Sequence, residues 1–371
     1  MPPIWKVKRE FERLKSKISA PILSAVIPFM IRQHDKTKYQ RFLITKGRAV
    51  QGPQIALLLL FQPKGLAGSV YETCKYLTDH GFSVFLVSNT PLSKPDRDAL
   101  AKHCFEILER PNFGYDFGGY RDGVLHLLDA GRVFERLLVL NDSCWFPVGS
   151  GDEFLASVAQ TDADMYGAVL SSRRDRAEGK HLQSFAFAFG PKLLASPDFR
   201  MFWQGLAVSN NRFWTVERCE MAMSPWFANR GYALASGWSF GDIDAVIPNL
   251  SIAELEQIVA LERATNPAKQ SVLTAMSAKV PHDDAWAQQV REMMLKGTMR
   301  RYLMLAHPLL LRKIRFPFLK KNREGYYTAQ RQAFLEQVAP DLSATILEEI
   351  IVLGGGSAPT SAVSQTADTA V

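Results

Sequence analysis

No apolar run in the 371-residue sequence reaches the roughly 18 residues that would span a bilayer, which excludes a transmembrane helix. Cysteine is scarce. Cys74, Cys104, Cys144 and Cys219 lie far apart with no C-x-x-C pair, which excludes a disulfide scaffold and a zinc ribbon and fits a reducing compartment. The N-terminus lacks the basic, apolar, small-residue order of a secretory signal. No G-x-G-x-x-G opens a helix, and no G-x-x-x-x-G-K-[ST] phosphate loop occurs. With 47% hydrophobic and 22% charged residues, wholesale disorder and fibrous repeats are excluded as well. What remains is a globular α/β protein of one large or two smaller domains.

The formal charge of +7 is unevenly placed. Residues 1–50 carry a net of +9, as do residues 296–323, whereas residues 324–371 carry −5 and the body between 51 and 295 carries −6. A slightly acidic body argues against a nucleic-acid groove, whose basic stripe crosses the folded domain. The two basic flanks are interleaved with Trp5, Phe11, Ile18, Ile22, Leu23 and Phe29, and with Tyr302, Leu309, Phe316 and Phe318. Such segments are expected either at an anionic membrane surface or as solvated helix faces.

Periodicity divides the chain further. Residues 4–20 read as a helix, which Pro21 and Pro28 break or kink. Ile55–Phe61 is a continuous apolar run, as expected of a strand buried on both faces. A helix over 67–80, a strand over Phe82–Ser88, a helix over Asp96–His103 capped by Ser93 and a strand over Phe105–Leu108 follow. Next come a helix over about 119–130, a strand over Leu137–Leu140, a helix capped by Ser150 and a strand over Asp164–Leu170. This alternation implies βαβ units and a mostly parallel sheet, with ligands beyond the carboxyl ends of its strands. Asn89, Arg110–Asp122 and Asn141–Ser143 then share one rim. Four segments are expected: a basic amphipathic stretch (1–50), a nucleotide-binding α/β domain (51–262), a basic helical extension (263–353) and a disordered Gly/Ser/Ala/Thr tail (354–371).

Two motifs carry candidate chemistry. Arg110 to Gly123 holds four glycines in ten residues, a composition that lets backbone N–H groups approach an anion, and equally that of a glycine-rich turn. Arg110 is suited to neutralising a diphosphate, and Asp116 to accepting from a base or ribose hydroxyl. Leu140-Asn141-Asp142-Ser143 ends an apolar strand, and its carboxylate is suited to a divalent cation bridging two phosphates.

These blocks, N-x-G-x-D-F-G-G-Y-x-D-G and a strand ending N-D-S, closely resemble the rhamnan synthesis protein F family of bacterial polysaccharide proteins related to GT-A glycosyltransferases. The resemblance continues through His181-Leu182-Gln183-Ser184-Phe185, Phe202-Trp203 and Cys219-Glu220, and covers roughly residues 50–320. It implies a GT-A-like sheet and a donor site of Asn89, Arg110, Asn112, Gly114, Asp116, Gly118, Gly119 and Asp142. Asp142 is also the implied metal ligand, for Mg²⁺ or Mn²⁺. It further implies a general base at Glu220 and sugar or acceptor contacts from His181, Gln183 and Trp203. Where the broader enzymes have D-x-D, Asn141-Asp142-Ser143 keeps one acid, and where they have an acidic pair, Cys219-Glu220 keeps one. The activity implied is transfer of a deoxyhexose, rhamnose, from a nucleoside diphosphate sugar (dTDP-rhamnose or a GDP-sugar) to a surface polysaccharide or lipid-linked glycan. The expected location is the cytoplasm, peripheral on the inner face of the cell membrane. The degenerate motifs leave a second expectation, a non-catalytic sugar-binding or assembly protein on the same fold.

Overall fold

The computed structural model describes residues 24–149, 153–171, 180–300, 302–338 and 342–354. The expected helix with Trp5, Phe11 and Ile18, the Ser150 cap and the tail beyond residue 354 lie outside the described residues. The first described element is a helix at 24–41 (α1), which runs through Pro28 rather than breaking there. The chain then forms two compact units, Met1–Asp142 with Leu155–Gly237, and Ser143–Phe154 with Trp238 onward.

The first unit is built on a nine-stranded sheet. Its strands are β1 (Leu43–Lys46), β2 (Gln54–Leu60), β3 (Ser83–Ser88), β4 (Cys104–Glu109), β5 (Arg136–Asn141), β7 (Met165–Ser171), β8 (His181–Leu182), β9 (Ala186–Phe189) and β10 (Leu234–Trp238). The order is β1-β4-β3-β2-β5-β9-β7-β10, with β8 on β7. Pairs β2–β3, β3–β4 and β2–β5 are parallel, and β9 lies antiparallel between β5 and β7. So β2, β3, β4, β5 and β7 point the same way. The expected α/β fold on a mostly parallel sheet holds, with antiparallel pairs at β1, β8 and β9. Strand β2 explains the geometry from its sequence: Ile55–Leu60 are all buried, because helices cover both faces of a parallel centre.

The helices that matter for the site follow β2 and β4. Helix α2 (Gly68–Asp79) lacks a side-chain cap, whereas α3 (Lys94–Leu100) is capped as expected by Ser93, whose hydroxyl accepts from the Asp96 N–H. Helix α4 (Tyr115–Asp129) begins four residues earlier than the sequence suggests. Gly114 precedes it with φ +80°, a left-handed conformation natural to glycine, and Tyr115 itself has φ +52°. Gly118, Gly119 and Gly123 therefore lie inside the helix. A Cβ on Gly119 would sit 2.3 Å from Leu59 Cδ1, and one on Gly123 would sit 2.8 Å from Leu57 Cδ1. The glycines let α4 lie directly on the sheet.

The second unit contains β6 (Cys144–Trp145) paired antiparallel with β11 (Leu319–Lys320), surrounded by helices. Phe146 stacks on Phe318 at 4.6 Å, Phe154 packs edge-on against both, and Phe316 lies tilted on Phe318 with Trp238 edge-on to it. Phe316 and Phe318 are 4% and 2% exposed, which corrects their expected role at a membrane surface. Their sequence neighbours are basic, but the rings themselves form a core. Among the described residues, no helix is long and apolar enough to cross a membrane.

Candidate active site

Acidic side chains gather at the carboxyl ends of β4 and β5. Asp116, in the first turn of α4, accepts from the Asn141 amide at 3.0 Å, and Asn141 is the last residue of β5. Asp142 follows it. The Asp142 N–H donates to the Leu59 carbonyl, and its Oδ2 accepts from the Phe61 N–H at 3.1 Å, so this carboxylate is fixed against the end of β2.

Tyr120 stands one helical turn beyond Asp116 and is fully buried. Its hydroxyl donates to the Ser184 carbonyl at 2.8 Å. Burial raises its pKa well above the ordinary value, and the charges of Asp116, Glu220 and Asp142 push the same way. A hydrogen bond with Asn141 opposes this rise. Sequence reasoning had not singled out Tyr120, although its spacing of four from Asp116 was the signal available.

Glu220 is half-buried and ends a π-helical segment, Val216–Glu220. Widened turns of this kind mark functional sites more often than chance. The following helix, Met221–Ala228, contains Pro225, which supplies no N–H to the Met221 carbonyl. Cys219 beside it is buried, and burial pushes its thiol up to about 12, so it is no nucleophile.

The remaining donor residues are placed differently from expectation. The Arg110 side chain has no exposed surface. It donates to Asp122 Oδ2 at 2.7 Å, to Asn89 Oδ1 at 2.6 Å and to the Phe113 carbonyl at 2.8 Å. Its charge is committed to Asp122, so it does not face a diphosphate. Asn89 is buried and also donates to the Tyr115 carbonyl. The Gly114 N–H donates to Asn210 Oδ1, and Gly118 and Gly119 are buried in α4 with no room for a Cβ. These groups form no anion cradle; they hold the turn that starts α4. Asn112 is exposed in that turn.

Asp122 belongs to a cluster the sequence did not reveal. His34 of α1 hydrogen-bonds it at 2.8 Å, and Arg121 pairs with Asp35 at 2.7 Å. Burial opposes ionisation of Asp122, yet the His34 hydrogen bond and the Arg110 charge hold it below the usual carboxylate range. His34, Asp35 and Asp122 bring ligand atoms within 4.8 Å of one another. However, Arg110, Arg121 and Lys38 already neutralise the two acids, so the donor set suits no cation.

Among the proposed sugar contacts, His181 is half-buried on β8 and Gln183 is buried just beyond it, with its Nε2 lacking a hydrogen-bond partner. Trp203 is a correction. It is fully buried among Phe189, Phe199 and Phe202, so it fills the core and offers no face to a sugar ring.

In open α/β sheets ligands bind beyond the carboxyl ends of the parallel strands, the rim where these carboxylates lie. Residues 84–254 match the family model for rhamnan synthesis protein F, which bears out the resemblance read from the motifs. The chain is 28% identical to "Uncharacterized protein y4gN" of Sinorhizobium fredii, over 93% of this chain and 91% of that one. It is 26% identical to "Virulence protein VirA" of Vibrio anguillarum over 43% of this chain, about half (51%) of that protein's length. A solved mannosyltransferase from Pyrobaculum calidifontis, in complex with GDP-Man and Mn²⁺, aligns over 86% of this chain and 97% of its own at 11% identity and a TM-score of 0.33.

Proposed function

We propose that the first unit is a glycosyltransferase that moves rhamnose, a deoxyhexose, from a nucleoside diphosphate sugar to a surface polysaccharide such as an O-antigen, or to its lipid-linked precursor. The observation that carries this reading is the acidic rim at the β5 end, where Asp116 accepts from Asn141 at 3.0 Å and Asp142 is held by the Phe61 N–H at 3.1 Å. The family match supports the polysaccharide class, and the sugar is read from the family's name. Glu220 takes the proton of the acceptor hydroxyl as it attacks with inversion. Asp116 and Asn141 accept from and donate to donor hydroxyls. Asp142 and Asp116 offer hard oxygen ligands, which fit Mg²⁺ or Mn²⁺. When bound, such an ion would supply positive charge to the departing diphosphate. The setting proposed is the cytoplasmic face of the membrane, where a lipid-linked acceptor lies.

The test is release of nucleoside diphosphate from dTDP-rhamnose and a panel of GDP-sugars, with and without Mn²⁺ or Mg²⁺. Metal-dependent turnover of one donor supports the proposal. Donor binding without turnover favours the second reading, a sugar-binding or assembly protein. Asn141-Asp142-Ser143 and Cys219-Glu220, each with one acid where the broader enzymes have two, speak for that alternative.

A further inference from the structure

Helix α1 has two faces of opposite character. Ile27, His34 and Lys38, at spacings of seven and four, are 1%, 5% and 5% exposed. His34 and Asp35 bind this side to α4 through Asp122 and Arg121. The orientation of the helix is therefore fixed by the His34–Asp122 hydrogen bond and the Arg121–Asp35 ion pair together with buried Ile27. On the opposite side lie Val26, Phe29, Gln33, Lys36 and Gln40, all exposed, with Met30 and Arg32 flanking them. Phe29 is 70% exposed, an unusual position for a phenyl ring. Neither Arg32 nor Lys36 is paired with a described acid. Residues 24–50 carry six Lys and Arg against one Asp, so the surroundings are as cationic as the face itself.

We infer that the Val26–Phe29–Met30 face, with Arg32 and Lys36, docks on an anionic lipid surface. Phe29 enters the headgroup boundary and the two cations meet lipid phosphates. Charge complementarity selects this occupant. A ring standing among unpaired cations is ill-suited to self-association, because two copies of the face would oppose like charges. Aromatic and cationic side chains on one helix face are the combination that interfacial helices use. The inference gives a location to the membrane attachment proposed above, and places it on α1 instead of on Phe316 and Phe318. Because the inner side of α1 is locked to α4, a docked α1 fixes the direction in which the first unit faces the bilayer.

The experiment is co-sedimentation of the full chain with vesicles of phosphatidylcholine alone or mixed with phosphatidylglycerol, at low and high salt. It requires no catalysis, so its failure is separable from failure of the glycosyltransferase reading. Binding is expected only with phosphatidylglycerol and should weaken with salt. Phe29→Asp should abolish it. Arg32→Ala with Lys36→Ala should lower partitioning about thirtyfold, about fivefold for each charge near the surface. Val280→Asp, at a valine 84% exposed in the second unit, should leave it unchanged. Circular dichroism of each variant shows that the fold is retained. Wild-type protein left in the supernatant under every condition overturns the inference, as does Phe29→Asp binding as tightly as wild type. So does a gel-filtration dimer that Phe29→Asp converts to monomer, which would assign the face to a second copy.

Discussion

A buried guanidinium and a buried carboxylate depend on each other absolutely. Arg110 and Asp122 are each about 1% exposed or less as side chains, and neither has water to fall back on. Arg110→Met removes the nearest cation and leaves Asp122 with His34 and with Arg121 at 3.8 Å. Stability in urea should fall by about 3–5 kcal/mol, and replacing Asp122 with Leu in the same chain should restore most of it. Glu220 calls for the opposite expectation. It is half-buried at the end of a π-turn, so Glu220→Gln keeps shape and most hydrogen bonds while losing the ability to take a proton. Sugar transfer should drop about 10²–10⁴-fold with donor affinity unchanged, measured by product formation and calorimetry. Position at element ends singled out Asp116 and Asp142 in the sequence, whereas Glu220 was reached only through the family resemblance. Sequence position could not expose the partner of Arg110, because Asp122, 12 residues on, meets it only through the turn that starts α4. An arginine beside glycines reads as a phosphate ligand until its carboxylate is located in space.

Among the elements, α4 shows why the glycine-rich stretch was half legible. Its composition correctly signals a close backbone approach, but the approach is to the sheet and not to an anion. Gly119→Ala would push a methyl to within 2.3 Å of Leu59 Cδ1 and 3.1 Å of Asn89 Oδ1, and should cost about 1–3 kcal/mol. Gly205→Ala ends a helix with nothing within 4 Å of the new Cβ and should be near neutral in the same urea titration. The strands were legible because a parallel centre demands unbroken apolar runs, whereas the start of α4 was hidden by a left-handed glycine and a positive-φ tyrosine. The helix Pro308–Lys313 supplies a pH-dependent element. His307 caps it by accepting from the Leu309 N–H at 3.2 Å, and burial lowers its pKa from 6.5 to about 4. The unfolded chain binds this proton first, so the stabilisation is complete above pH 6.5 and is lost as pH falls toward 4. The loss should reach about 3 kcal/mol. His307→Asn keeps a capping oxygen without titrating, and should flatten the urea midpoint across that interval.

At the scale of the whole molecule, the chain leaves the first unit after Asp142, contributes Ser143–Phe154 to the second, and returns at Leu155. The second unit is thus built from segments distant in sequence, and the aromatic contacts of Phe146 and Phe154 with Phe318 depend on residues near the end of the chain. A protein ended at residue 262, where the strand pattern fades in the sequence, would leave Phe146, Phe154 and Trp238 without Phe316 and Phe318. It should aggregate when expressed, while the full chain stays in the soluble fraction, as centrifugation of lysates would show. The hydrogen bond from Lys320 to the Ser143 hydroxyl joins residues 177 positions apart. A ribosome adding about 5–20 residues per second presents Ser143–Phe154 on the order of ten to thirty seconds before their partners exist. For that interval the nascent chain carries two bare phenyl rings, and folding of the second unit must wait until Phe318 and Lys320 have been made.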